Sequence, residues 1–242
     1  MYHVITRSLN YAEDYNSTLQ KANIKTFIEP LFTINTCWAE QSNLSKSLTT
    51  ANLLIATSKN AITALAEMAT IRDIPLIAVG HGSAQLAQEL GFLKVSNGGG
   101  DVVQLIRYVA SNYASGSRIL YLRGDIISLD LKAKLLAYGF KAEELILYNT
   151  IYSKQFSDAM LELLKAQKIG SASFFSAKSA QVFIQHLRSA KLENCLRGSY
   201  AFALSQTIKK ELQRIEWAKF FVANFPNQES LERKVIAVLS KE

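Results

Sequence analysis

The stretches "LLIATSKNAITAL" (53–65) and "ASFFSAKSAQVFI" (172–184) decide how this chain folds. Each opens on an apolar run, short enough for one strand buried on both faces. A hydroxyl residue follows, then a lysine, a small residue, and apolar positions at helical spacing. A hydroxyl at that place accepts a free N–H of the first helical turn and so starts a helix. Both stretches therefore read as strand, tight turn, helix. One chain uses the same unit twice, about half its length apart.

Outward from these turns, strand-like runs ("HVIT", "PLIAVG", "RILYLRG", "SYAFALS", "AKFFVA") alternate with amphipathic helical segments ("SAQLAQEL", "DVVQLIRYVASNY", "LDLKAKLLAYG"). That alternation predicts an α/β fold, a parallel sheet with helices on both faces. Pro30, Pro75 and Pro226 fall at segment edges, where proline is tolerated. The two halves correspond in order: Arg7 with Arg123, Thr57 with Ser176, Gly80 with Ser205, Asn97 with Asn224. The offsets grow steadily, 116, 119, 125 and 127 residues, as small loop insertions would make them. The chain thus reads as a duplication. Two extended stretches, "KTFIEPLFTIN" (25–35) and "KAEELILYNTIYSK" (141–154), break the rhythm and fit an antiparallel connecting ribbon.

Composition narrows the function. Of 242 residues, 49% are apolar and 19% charged, an ordinary globular balance. "MYHVITRS" alternates like a strand, so no secretory leader is expected, and no run is long enough to span a bilayer. Cys37 and Cys195 stand apart without metal-ligand spacing, which fits free thiols in the cytoplasm. His3, His81 and His186 share no metal spacing either. Residues 1–115 carry 8 Lys/Arg against 8 Asp/Glu, and residues 116–242 carry 19 against 12. The net charge of +7 therefore lies in the second half and points to an anionic partner. Adjacent basic pairs occur only at 209–210 and 233–234, too sparse for a nucleic-acid groove.

In an open parallel sheet, ligands meet the carboxyl ends of the strands, where helix starts present free N–H groups. The candidate turns all lie there. "TSKNA" supplies Thr57 and Ser58 as helix caps, "GHGSA" likewise supplies Gly82 and Ser83, and "NGGGD" supplies Gly98, Gly99 and Gly100 before an Asp101 cap. "FSAKS" adds Ser176 and Ser179, and "LSQT" adds Ser205 and Thr207. Amides and hydroxyls of this kind form an anion receptor. No phosphate loop, nucleophile elbow or zinc-protease motif is present, and no carboxylate pair stands out. An enzyme built this way works by orienting a reactive substrate. A non-catalytic binder of an anionic small molecule would use the same turns, and a nucleic-acid binder would show steep salt dependence.

In order and spacing, "TRS", "ATSKNAI", "AVGHGSAQLAQELG", "GGGDVVQL", "ILYLRGD", "LYNTIY", "FFSAKSA", "ALSQTI" and "ANFPNQESL" resemble the uroporphyrinogen-III synthase family over nearly the whole chain. The resemblance implies two flavodoxin-like, doubly wound α/β domains joined by a two-stranded β-linker, with the active site in a cleft that the turns of both domains face. One domain is inserted in the other: 1–29 with 152–242, and 37–143, with linker strands at 30–36 and 144–151. The repeat alone would have joined Arg7's unit to residues 36–115 in two sequential domains.

The implied reaction is cyclisation of hydroxymethylbilane to uroporphyrinogen III, with loss of water and inversion of ring D, and with no cofactor or metal. The substrate's eight carboxylates suit a receptor of helix starts. The resemblance places the linker tyrosine at Tyr148, whose phenol is able to donate a proton to the departing hydroxyl. It places substrate contacts at Thr57, Ser58, Lys59, Ser83, Gly98, Gly99, Ser176, Lys178 and Thr207, with Arg7 and Arg123 at strand ends. Three positions depart from the family pattern: Ser8 stands for the usual proline, Ser83 for a threonine, and Ile208 for a threonine near Thr207. A cytoplasmic monomer is expected, with no nucleic acid or membrane as partner, receiving substrate from the preceding enzyme of the pathway.

Overall fold

The computed structural model describes residues 1–126 and 129–240. Residues 127, 128, 241 and 242, which fall inside the expected domain ranges, lie outside the described residues. Eleven strands and ten α-helices are described. In chain order they begin β1 (Tyr2–Ile5), α1 (Leu9–Lys21), β2 (Thr26–Ile28), β3 (Phe32–Thr36), α2 (Gln41–Leu48), β4 (Leu53–Ala56) and α3 (Lys59–Met68). Next come β5 (Leu76–Ala78), α4 (His81–Glu89), β6 (Val95–Asn97), α5 (Val102–Asn112), β7 (Arg118–Gly124) and α6 (Leu131–Ala137). The chain continues through β8 (Lys141–Tyr152), α7 (Asp158–Lys165), β9 (Ile169–Phe174), α8 (Ala177–Ala190), β10 (Tyr200–Ala203), α9 (Gln206–Leu212), β11 (Lys219–Val222) and α10 (Gln228–Leu239).

Two compact units result: Met1–Thr33 with Ile151–Glu242, and Ile34–Thr150. The first holds the sheet β2-β1-β9-β10-β11, every neighbouring pair parallel. The second holds β8-β7-β4-β5-β6, also parallel, with β3 beyond β8. Matched strand for strand, the two sheets have one order, and it is the flavodoxin-like order 2-1-3-4-5. With β3 set aside, each half of the chain gives two strands to one sheet and three to the other. β1 pairs with β9, not with β4, so the repeat does not fold as two sequential units.

Burial explains the strands. Leu53, Leu54, Ile55 and Ala56 are all fully buried, as a central parallel strand covered on both faces requires. In the first unit, Met160, Phe183, Leu187 and Ile208 pack one face of the sheet, and Ala12, Tyr15, Leu231 and Val235 pack the other. In the second, Leu44, Ile62 and Leu65 cover one face, and Leu105, Val109 and Leu135 cover the other. Each large aliphatic side chain so buried contributes about 1.5–3 kcal/mol.

The extended stretch near residue 30 divides at Pro30 into β2 and β3, because proline cannot donate to a ladder. β8 is a single strand of 12 residues. Cys37 N–H donates to Leu147 O at 2.8 Å and Ser153 N–H to Leu31 O at 2.9 Å. Numbers rise along one strand as they fall along the other, so β3 and β8 run antiparallel. Ser8 precedes α1 as its N-cap, but its hydroxyl makes no cap hydrogen bond, and Oγ is buried without a protein partner among the described residues. A proline would leave no such orphan there.

Candidate functional site

The helix caps carry the turn chemistry. Ser58 is extended (φ −144°, ψ 150°) and accepts from Ala61 N–H at 3.2 Å, while Ser176 (φ −145°, ψ 151°) accepts from Ser179 N–H at 3.0 Å. Asp101, Ser205 and Asn227 cap α5, α9 and α10 in the same way. Cap to cap, Ser58 matches Ser176, one residue away from the sequence pairing of Thr57 with Ser176. α4 differs from expectation. It is capped by Gly80, whose φ of 83° is left-handed, so Gly82 and Ser83 lie inside the first turn and are not its caps.

At the carboxyl edge of the second sheet, a cavity of about 380 Å³ collects Thr57, Ser58, Arg123 and Tyr148 from the expected set. Gly100, Asp101, Tyr121 and Gly124 also line it. Two phenols meet two consecutive hydroxyls here. Tyr148 Oη lies 3.0 Å from Ser58 Oγ, and Tyr121 Oη lies 3.2 Å from Thr57 Oγ1. Burial pushes the Tyr121 phenol above its ordinary value, with the Thr57 hydrogen bond opposing it.

Tyr148 reaches this place through an irregularity. The β7–β8 register runs Arg123 opposite Ile146 and then Gly124 opposite Tyr148, so β8 carries one extra residue, Leu147. A bulge of this kind re-aims the next side chain. Asp125 N–H donates to Tyr148 O at 3.1 Å, and Asp125 Oδ1 accepts from Thr150 N–H at 3.0 Å, which pins the backbone on both sides.

Other expected residues have evident structural partners. Arg123 pairs with Glu144 (Nε to Oε2 3.0 Å, Nη2 to Oε1 3.3 Å) and donates from Nη1 to Gly124 O at 2.8 Å. Lys59 lies along α4, where a Cβ on Gly82 would meet its Cε at 3.3 Å. A Cβ at Gly98 would meet Leu105 at 2.6 Å and Ile77 at 2.7 Å, so this glycine allows the turn to pack. Gly99 has φ 99° and accepts from Gly80 N–H at 2.8 Å, tying the two turns together. Ser83 is buried.

In the first unit, Arg7 stands past β1 with its guanidinium 4.8 Å from the Phe175 ring centre and 5.1 Å from that of Tyr11, and it donates to Gln228 Oε1. Burial pulls the Arg7 guanidinium below its ordinary value, against the opposing pull of Tyr11 and Glu232. Ser176 Oγ and Ser179 Oγ are 2.8 Å apart. Lys178 Nζ lies 5.7 Å from the Tyr152 ring centre. Thr207 is exposed on α9, and Ile208 is buried in the core. Sequence reading missed Tyr121 and Gly124. Tyr121 carried a usable signal, since it precedes Arg123 by two and shares its strand face.

The two units are flavodoxin-like α/β domains, each with capped helix starts and a half-buried arginine at the carboxyl edge of its sheet. The family model described as uroporphyrinogen-III synthase HemD matches residues 13–232, and the chain belongs to that family. The family's members are cyclising lyases of tetrapyrrole biosynthesis, and this chain is a haem-biosynthesis enzyme whose substrate by family is hydroxymethylbilane. The fold is that of the uroporphyrinogen-III synthetase of Helicobacter pylori 26695 (20% identity, TM-score 0.66, covering 98% of this chain and 99% of that one). It is likewise that of a mutant uroporphyrinogen III synthase from the extremely thermophilic bacterium Thermus thermophilus (15% identity, TM-score 0.60, all of both chains). No curated protein matches the sequence. Among the described residues, no helix is long and apolar enough to cross a membrane, and no cluster of three metal-ligating side chains occurs.

Proposed function

We propose that Tyr148 is the proton donor of the cyclisation and that the helix starts of both units take the substrate's carboxylates. Loss of the terminal hydroxyl of hydroxymethylbilane needs a proton, and its departure as water leaves an azafulvenium cation. The substituted carbon of ring D attacks that cation to give a spiro intermediate, which fragments and recloses with ring D inverted. The cation otherwise closes to the wrong isomer, so the protein's main task is orientation.

One observation carries the reading: the Tyr148 phenol lies in a cavity, 3.0 Å from the serine that caps α3. Ser58 accepts from Ala61 N–H and keeps its own O–H to give. Donated to Tyr148 Oη, it leaves the phenol proton free for the departing hydroxyl and then stabilises the phenolate. The positive end of α3 acts in the same direction. Thr57, Lys59, Ser83, Gly98 and Gly99 in one unit, and Arg7, Ser176, Lys178 and Thr207 in the other, belong to carboxylate binding on this reading. Arg123, neutralised by Glu144, holds β7 to β8 at the cavity wall while keeping a place on its lining.

A cytoplasmic monomer fits the same reading, and two free thiols support the reducing compartment. Direct transfer from the enzyme that makes the substrate would limit its spontaneous closure. The test is to incubate the purified chain with freshly generated hydroxymethylbilane and separate the product isomers. Predominant isomer III is expected; only isomer I, as in buffer alone, would reduce the protein to a binder.

A further inference from the structure

Gly124 has no conformational reason to be a glycine. It ends β7, pairs with Tyr148, and is absent from the residues with positive φ. Any L residue could adopt its backbone. What forbids a side chain is the neighbour: a Cβ at this position would stand 2.4 Å from Tyr148 Cζ, 2.5 Å from Cε2 and 2.8 Å from Oη. The three nearest atoms all belong to one phenol.

The backbone around that phenol is tied down. Asp125 N–H holds Tyr148 O, and Asp125 Oδ1 accepts from Ile126 N–H and Thr150 N–H, each at 3.0 Å. Added bulk at 124 would therefore displace the ring and leave the strands in place. Restoring ordinary contact, which begins at 3.4 Å, moves the ring by about 1 Å. The 3.0 Å hydrogen bond to Ser58 would not survive that displacement.

We propose that Gly124 is a positioning residue for the reaction: its missing side chain is the slot in which the Tyr148 ring lies, and it sets the reach of the phenol toward Ser58 and the departing hydroxyl. The inference rests on Tyr148 as proton donor. The bulge at Leu147 aims the ring, and Gly124 gives it room.

The test places Gly124→Ala in both the native and the Tyr148→Phe backgrounds, with turnover of hydroxymethylbilane and the NMR resonances of ¹³Cζ-labelled tyrosine as readouts. The Tyr148 signal is assigned by its loss in Tyr148→Phe. In the native background, kcat should fall about 10–100-fold, the scale of a 1 Å misplacement, with KM little changed. The Tyr148 resonance should move. In the Tyr148→Phe background the same alanine should cost nothing further in kcat, since no hydroxyl remains to be misplaced.

An equal loss of kcat in both backgrounds would overturn the inference, as would an unmoved resonance. A chain that no longer folds would overturn it too, because the ring and not the backbone is expected to yield. If Tyr148→Phe alone turns over like the native enzyme, the proton-donor reading is what fails. The resonance then still shows whether Gly124 sets the place of the ring, and an unmoved signal would overturn that as well.

Discussion

The two sheets share a strand order but treat polarity in opposite ways. In the first, His3 stands opposite Ser171 and Ile5 opposite Ser173; in the second, the matching pairs are Ile119 with Leu53 and Tyr121 with Ile55. His3 Nδ1 lies 2.7 Å from Ser171 Oγ and Nε2 2.8 Å from Ser173 Oγ, and Tyr15 Oη joins Ser173 Oγ at 2.7 Å. This network is sealed inside the core. In the second unit the residues that match His3, Ser171 and Ser173 are the aliphatic Ile119, Leu53 and Ile55, and the phenols Tyr121 and Tyr148 line a cavity at the carboxyl edge. The first unit hides these polar groups, and the second presents its phenols. The framework therefore does not dictate where the chemistry goes. Changes in the first network should cost stability, and changes at the second edge should cost turnover.

The largest effect expected from this contrast is at Tyr148. Tyr148→Phe should slow cyclisation by about 10²–10⁴, the range for one general acid, and lower stability by only about 1 kcal/mol for the lost hydrogen bond. Steady-state kinetics beside urea unfolding checks both. A stability loss without a kinetic one would erase the distinction.

Next comes His3, whose effect should be confined to stability. Burial lowers its folded pKa to about 3 from 6.5, so between these values the unfolded chain binds the extra proton. Its contribution is complete above pH 6.5 and is lost as pH falls toward 3, by about 1.4 kcal/mol per unit or about 3 kcal/mol at pH 4. His3→Leu abolishes that slope but leaves Ser171 unpaired, at about 1–3 kcal/mol. Urea midpoints should favour the native chain at pH 7 and lose that advantage at pH 4, with kcat at pH 7 unchanged throughout. Parallel curves would mean that His3 is not the buried neutral base described.

The smallest effect is the sharpest comparison. Ser58→Ala and Ser176→Ala each remove a helix cap and should each cost about 1 kcal/mol of stability. Only Ser58→Ala should also lower kcat, because Ser176 reaches Ser179 where Ser58 reaches a phenol. Equal kinetic losses would make the two edges equivalent after all.

What could be read from the sequence follows the same division. Ser58, Asp101 and Ser176 were legible as caps because a hydroxyl or carboxylate before an amphipathic run has a local reason to be there. Gly80 was not, since a left-handed glycine caps by conformation and leaves no side-chain signature. The repeat was visible, but strand runs do not name their partners, and the pairing of β1 with β9 spans more than 160 residues. The extra residue at Leu147 hid inside an unbroken apolar run, so the aim of Tyr148 was invisible. Tyr121 read as one more strand aromatic, and His3 as a lone histidine, because their hydroxyl partners lie far off in sequence.

If Tyr148 supplies the proton that lets the hydroxyl leave, a substrate whose leaving group needs no proton should not depend on it. The most direct measurement compares hydroxymethylbilane with the analogue that carries an ammonium in its place, which departs as ammonia and needs no proton from the enzyme. Tyr148→Phe should slow the hydroxyl substrate about 10²–10⁴-fold and leave the ammonium analogue near the native rate. Equal slowing of both would show that the phenol positions the substrate without donating to it, and the claim would fall.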